Sequence, residues 1–314
     1  MKIGFLLIDG FALMSCASAV EPLRAANLLA GDTLFQPVYL SREGGRVRAS
    51  CGAWFKTRPL KRTARFDMLF VVAGGDPMGF SDPALFAGLR ELSAKGMRLG
   101  GISGGGVILA RAGVMENRRF TVHWEHFEAL REWSETLLLE RRLFVIDRDR
   151  ATCAGGSAPL DMMHAMIRAE HGAELASAVS DWFIHTGIRA AEAPQRARNP
   201  QGRTLHHTTA TALDLMESQL ADPFPVARIA RLVGASERQL QRHFSEDLGQ
   251  SVAQTWLEMR LAKADELLRQ TRLPVTEVAL TCGFSSPSHF ATRFRARFGQ
   301  SPRKRRQAAP SSRT

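Results

Sequence analysis

Over residues 1–185 short, unbroken apolar runs alternate with stretches of helical spacing, whereas from residue 207 onward only helical spacing remains. Unbroken apolar runs bounded by turn residues read as strands buried on both faces. They predict strands over 2–8, 36–41, 67–73, 98–102 and 150–153, with a strand-like stretch over 137–147. The intervening pattern predicts helices over 18–30, 83–95, 107–111, 158–170 and 173–185. Such alternation with short connections implies an α/β domain with a mostly parallel sheet covered on both faces. Residues 186–206 lose the apolar period and become polar, basic and proline-containing, as a linker does. Residues 207–306 predict an all-α domain, followed by a tail over 307–314.

The second domain repeats itself. Val226, Ile229, Ala230 and Gly234 match Val275, Val278, Ala279 and Gly283, and Ser236, Leu240, Phe244 and Gly249-Gln-Ser251 match Ser286, Phe290, Phe294 and Gly299-Gln-Ser301. Each copy has the form of a helix-turn-helix unit, over 226–245 and 275–298. The glycines suit a sharp turn that needs positive φ, and Ser236 and Ser286 suit helix N-caps, with Gln239 completing a capping box. Leu240 and Phe244, then Phe290, Phe294 and Phe298, recur at i, i+4 and pin each second helix to a core. Its outer face is left polar and basic: Arg238, Gln241 and Arg242 in the first copy, Ser288, His289, Thr292, Arg293 and Arg297 in the second. A major groove accepts such a face, with Arg suited to guanine and Gln to adenine. Between the copies, 252–270 predicts one helix about 28 Å long, close to the roughly 34 Å between successive major-groove faces.

On these residues, 226–305 resembles the DNA-binding domain of the AraC/XylS family, including Arg260-Leu-Ala-Lys-Ala-Asp-Glu-Leu-Leu268 and Gly283-Phe-Ser-Ser-Pro-Ser-His-Phe290. Val252 stands where that family prefers proline. The residues after Pro302, Arg303-Lys-Arg-Arg306, lack the family's usual aromatic, which predicts a looser last turn.

In the first domain, Gly101-Ile-Ser103-Gly-Gly105 satisfies the nucleophile-elbow pattern, placing Ser103 on a tight turn before a helix whose backbone N–H groups face any ligand anion. A serine hydrolase or amidase built there would draw its base from His123 or His126 and its carboxylate from Glu21 or Asp76. Close strand–helix packing accounts for the same glycines. Residues 1–185 resemble the class I glutamine amidotransferase-like, flavodoxin-like domain of the PfpI superfamily, in the form fused to AraC-type helices and known as GlxA-type regulators. The matching stretches are Ala17-Ser-Ala-Val-Glu21-Pro-Leu-Arg, the elbow, Thr121-Val-His123-Trp-Glu-His126 and Thr152-Cys-Ala-Gly-Gly156. Active superfamily members carry cysteine at the elbow. Ser103 followed by Gly104 therefore implies a pocket kept for binding, and the resemblance implies that Glu21, Ser103, Gly104, His123 and Trp124 form it. Trp54, Phe55, Trp124, Trp133 and Trp182 are expected mostly in the core, unless two of them cage a quaternary ammonium beside Glu21. The resemblance implies an effector that is a quaternary ammonium compound or an amino-acid derivative. It also implies a homodimer and, at the promoter, contact with RNA polymerase.

Charge sharpens this picture. Of the net +11, residues 207–314 carry 16 Lys/Arg against 10 Asp/Glu, and no acidic residue follows Glu277. With Arg293 and Arg297 on one helix, the basic run 303–306 reads as phosphate-contacting. Cys16, Cys51, Cys153 and Cys282 are scattered, with no clustered histidines, which fits neither a disulfide framework nor a structural zinc site and implies a reducing, cytoplasmic setting. Residues 1–19 mimic an export signal, but Asp9 and Gly10 divide the apolar run, and the first piece reads as a buried strand. No stretch reads as membrane-spanning, and no cofactor is implied.

Overall fold

The computed structural model describes residues 1–61, 63, 65–196 and 205–307. These form two compact units, Met1–Arg196 and Ala197–Thr314. The predicted tail beyond residue 307 and the linker stretch 197–204 lie outside the described residues.

The first unit runs β1 (Lys2–Leu7), α1 (Leu13–Ala30), β2 (Gln36–Ser41), β3 (Gly45–Arg48), β4 (Trp54–Pro59), β5 (Met68–Ala73), α2 (Pro83–Ala94), β6 (Leu99–Ser103), α3 (Gly105–Arg111), α4 (Trp124–Trp133), β7 (Phe144–Asp147), β8 (Arg150–Cys153), α5 (Ala158–His171) and α6 (Ala173–Trp182). The eight strands form one sheet in the order β3-β4-β2-β1-β5-β6-β8-β7. The inner strands pair in parallel, and only β3–β4 and β7–β8 at the two edges are antiparallel. The apolar run that mimics an export signal is β1, paired to β2 and β5.

Side-chain alternation along β5 explains why its sequence is apolar throughout. Phe70 and Val72 enter one core with Phe5, Leu23, Met162 and Ile167, while Leu69, Val71 and Ala73 enter the other with Leu89, Ile108 and Leu130. Helix α1 is carried into the first core by Cys16, Ala19 and Leu23. It begins at Leu13, ahead of the predicted 18, because Leu13 and Ser15 are already packed or buried. The stretch 137–147 is a strand only over Phe144–Asp147.

Residues 187–196 were expected in the linker, yet they are laid along the α/β unit by polar anchors. Arg189 donates to Asp161 at 2.6 Å and to Ser157 at 2.8 Å, Leu143 N donates to Ala191 O, and Gln195 donates to Val122 and Arg142 carbonyls. An apolar period cannot reveal a strap held by hydrogen bonds.

The second unit comprises α7 (His207–Ser218), α8 (Val226–Leu232), α9 (Glu237–Leu248), α10 (Val252–Gln270), α11 (Val275–Thr281), α12 (Pro287–Phe298) and α13 (Pro302–Gln307). It holds two apolar clusters, one for each helix-turn-helix unit. Val252 and Trp256 of α10 join Ile229, Leu240 and Phe244, whereas Leu261, Ala264 and Leu268 join Val278, Phe290 and Phe294. Gly283 has φ 72°, and a Cβ there would lie 2.6 Å from Leu220 O, so both backbone conformation and space require glycine. The expected loose last turn is instead a short helix. Arg305 holds Asp265 of α10 through two hydrogen bonds, of 2.5 and 3.0 Å, and Arg306 donates to Leu273 O. Two members of the basic run therefore fasten α13 rather than face a duplex. No described helix is long and apolar enough to cross a membrane.

Candidate nucleic-acid interface and effector site

In α9, the Ser236 side chain caps Gln239 N and Gln239 returns to Ser236 N, closing the capping box; in α12, Ser286 caps His289 N and Pro287 opens the helix. These caps start each helix at the same place relative to its buried residues, Leu240 and Phe244 or Phe290 and Phe294, which fixes the face turned outward. Arg238, Gln241 and Arg242 on α9, and Ser288, His289, Thr292, Arg293 and Arg297 on α12, are all exposed.

Their local partners differ. Gln241 Oε1 accepts from Val252 N at 3.4 Å, at the start of α10. Arg297 is hydrogen-bonded to Glu258 of α10, Arg293 lies against His289 at 3.3 Å, and Thr292 donates to Ser288 O. Arg242 stands 3.7 Å from Glu246, and Arg238 keeps an open outward position. Arg260 is a residue the outer-face reading passed over. It donates to the carbonyls of Cys282 and Gly283 and stacks on Phe284 at 4.2 Å, bracing the second turn from α10.

In the α/β unit, Ser103 ends β6 with φ 56°, the left-handed backbone of an elbow. The glycines around it serve close approach: a Cβ on Gly105 would lie 1.9 Å from Val71 O, and one on Gly101 2.5 Å from Gly106 N. The elbow is therefore formed, but two of its donors are occupied. Gly104 N donates to Ala73 O at 3.2 Å, and the N–H groups of Ser103 and Gly155 face Cys153, whose thiol burial pushes up to about 12. The Gly104 and Ser103 N–H groups are thus spent on packing rather than on a ligand anion.

The candidate bases are placed differently from a triad. His123 caps α4, its Nδ1 accepting from Glu125 N at 3.3 Å. That interaction leaves the neutral ring's proton on Nε2. His126 is held near pKa 4, by burial first and then by His123. Ser103 makes no hydrogen bond to either ring among the described residues.

Glu21 is not brought to the elbow. It pairs with Arg24 at 2.7 Å and acts electrostatically on Tyr39 of β2, three strands away from β6. The α1 side chain that reaches the elbow's surroundings is Ser15, whose Oγ accepts from Gly156 N at 2.8 Å while Gly155 lies against Ser103. Six residues on a helix turn through 600°, so Ser15 and Glu21 point to different faces. The tryptophan expectation also fails for three side chains: Trp54, Trp133 and Trp182 are about half exposed, at 54%, 50% and 49%. Trp124 is covered by the Arg196 guanidinium at 4.5 Å, and Trp54 by Arg46 at 5.0 Å.

A cleft of about 300 Å³ opens at the carboxyl ends of β1 and β5, lined by Ile8, Asp9 and Gly10, by residues 73–77, and by Gly79, Phe80 and Ile108. Sheet order makes this the switch point, since α1 leads from β1 to β2 on one side and α2 leads from β5 to β6 on the other. Ligands of open α/β sheets bind at such crevices. The charged side chains in the lining are Asp9 and Asp76. Asp9 accepts from Arg48 N at 3.1 Å and Asp76 from Gly79 N at 3.0 Å, which holds both carboxylates in place. Asp76 also acts on His126, tying the cleft to α4.

Residues 1–169 match the DJ-1/PfpI family and residues 229–308 match a helix-turn-helix domain. The HTH-type transcriptional regulator GlxA of Rhizobium meliloti (strain 1021) is 45% identical over 96% of this chain and 94% of its own. The chain belongs to the GlxA-type family of transcriptional regulators. A second relative, the HTH-type transcriptional regulator CdhR of Pseudomonas aeruginosa, is 40% identical over 98% of this chain and 91% of its own. Among solved structures, an AraC family transcriptional regulator from Pseudomonas putida superposes with a TM-score of 0.54 at 31% identity, covering 58% of this chain and 98% of that one. As a GlxA-type protein the chain is a DNA-binding regulator of transcription, and the relatives it matches along most of its length carry regulator names, not enzyme names.

Proposed function

We propose that this GlxA-type regulator acts as a cytoplasmic homodimer whose output is set by a small organic cation bound at the β1/β5 cleft. The observation that carries the effector reading is the cleft itself, where the charged lining consists of two fixed carboxylates. A positive group attracted there gains from both, and the volume suits a metabolite rather than a polymer. A quaternary ammonium compound or the ammonium end of an amino-acid derivative meets these demands. Arg238 and Arg242 of the first helix-turn-helix, and Ser288, His289, Thr292 and Arg293 of the second, then meet base edges and phosphates in successive major grooves. Gln241 and Arg297 set the angle of their helices on α10 and reach the duplex from there. RNA polymerase contact follows from promoter binding and belongs to the assembled dimer.

Calorimetric titration of the full chain with a panel of small quaternary ammonium and amino-acid cations tests the effector reading. Saturable binding by the wild type and its loss in Asp76→Asn are expected. Equal binding by both proteins sinks the assignment to this cleft.

A further inference from the structure

The DNA-binding unit assembles a histidine cluster from positions too far apart for sequence spacing to reveal. His206 is the N-cap residue of α7, while His243 and Glu246 lie one turn apart on α9. One ligand-capable atom from each of the three lies within 4.8 Å of the other two. The imidazoles stack with centroids 4.3 Å apart and planes 2° from parallel.

Each ring already has its Nδ1 engaged: that of His206 is 2.8 Å from Asp247 Oδ1, and that of His243 is 2.6 Å from Thr208 Oγ1. Asp247 is itself fixed, since its Oδ2 accepts from His206 N at 3.0 Å. The nitrogen left on each ring is Nε2, and His206 Nε2 stands 4.0 Å from Glu246 Oε2. Two imidazole nitrogens and a carboxylate oxygen are the donor types for a borderline divalent ion, and because imidazole lone pairs lie in the ring planes, one ring turns out of the parallel stack when both meet the same ion. The partners behind the rings, a carboxylate on one and a hydroxyl on the other, are the supports that orient metal-bound histidines. Mg²⁺ and Ca²⁺, which take oxygen donors, do not fit the pair of imidazoles.

We propose that His206, His243 and Glu246 bind a divalent transition-metal ion of the zinc class, tying the start of α7 to the groove-facing helix α9. The site lies where the chain enters the DNA-binding unit, so occupancy stiffens α9 against the residue that leads into it. It also acts on the interface directly. Glu246 faces Arg242 at 3.7 Å, and a metal ion that takes the carboxylate leaves the guanidinium to the duplex. Bound metal therefore strengthens DNA binding.

The test uses the full chain, stripped with a chelator and titrated with ZnCl₂ by calorimetry. Cys51→Ser serves as the background because that thiol is exposed. One zinc per chain at micromolar affinity or tighter is expected, weakened at least tenfold in His206→Gln and in His243→Gln with an unchanged far-UV spectrum. Glu246→Gln, on an exposed helix face, gives the same loss without touching either ring. Cobalt substitution should give d–d absorption that disappears in the same variants, and zinc should tighten DNA binding by the wild type but not by His243→Gln. Zinc uptake that survives in all three variants overturns the proposal and directs attention to the His123/His126 pair. A wild type that takes up no zinc at micromolar concentration overturns it as well.

Discussion

Ser103 holds a left-handed backbone, and Gly101, Gly104 and Gly105 around it leave little room for any added atom. Gly105→Ala would place a methyl against Val71 O inside the central sheet, so a loss of about 3 kcal/mol in urea denaturation is expected. The motif GxSxG was legible in the sequence, but its use was not, because only coordinates show Gly104 N and Ser103 N already engaged. Glu21 entered the pocket through the family resemblance, which carries a residue type but not a helix face; on α1 it pairs with Arg24, while Ser15 reaches the elbow's surroundings. His126 supplies a second test. Burial, then His123, hold it near 4 in the folded protein against 6.5 for a free side chain, so the unfolded chain binds its proton first. Stability should therefore fall as pH drops from about 6.5 toward 4, by roughly 3 kcal/mol for this group. Denaturation profiles of wild type and His126→Phe should diverge over that window; parallel profiles would show that the ring is free to protonate in place.

At the scale of elements, the helix-turn-helix units were the most legible part of the chain. Their determinants (a glycine turn, a serine cap, apolar residues at i, i+4) act within about one turn of helix, so sequence order carries them. Strands β3 and β4 escaped notice because Gly45–Arg48 and Trp54–Pro59 are mostly exposed edge segments with little apolar signal. Charge alone makes the run 303–306 read as phosphate-contacting, because the partner that draws Arg305 into α13, Asp265, lies 40 positions away. Arg305→Ala should loosen α13 and cost about 2 kcal/mol in denaturation, because it removes charge-assisted bonds to a carboxylate that is largely buried. The salt dependence of DNA binding should stay as it is in wild type. A reduced salt slope in that variant would return Arg305 to the duplex.

For the whole molecule, the chain's basic surplus and the outward faces of α9 and α12 predict an affinity for duplex DNA that weakens steeply as salt rises. Arg293→Ala should reduce that slope by about 1 if its guanidinium meets a phosphate. Arg242→Ala should instead relax discrimination at one base position by about 1–3 kcal/mol. A uniform loss across operator variants would move Arg242 to the backbone.

Helix α10 belongs to both apolar clusters, so the 19 residues from Val252 to Gln270 act as a ruler welded at each end. A welded ruler cannot slide. Inserting about five base pairs between the two contacted segments of an operator would turn the second segment to the far side of the duplex and defeat binding by a single chain, whereas about ten would restore the facing but leave it out of reach.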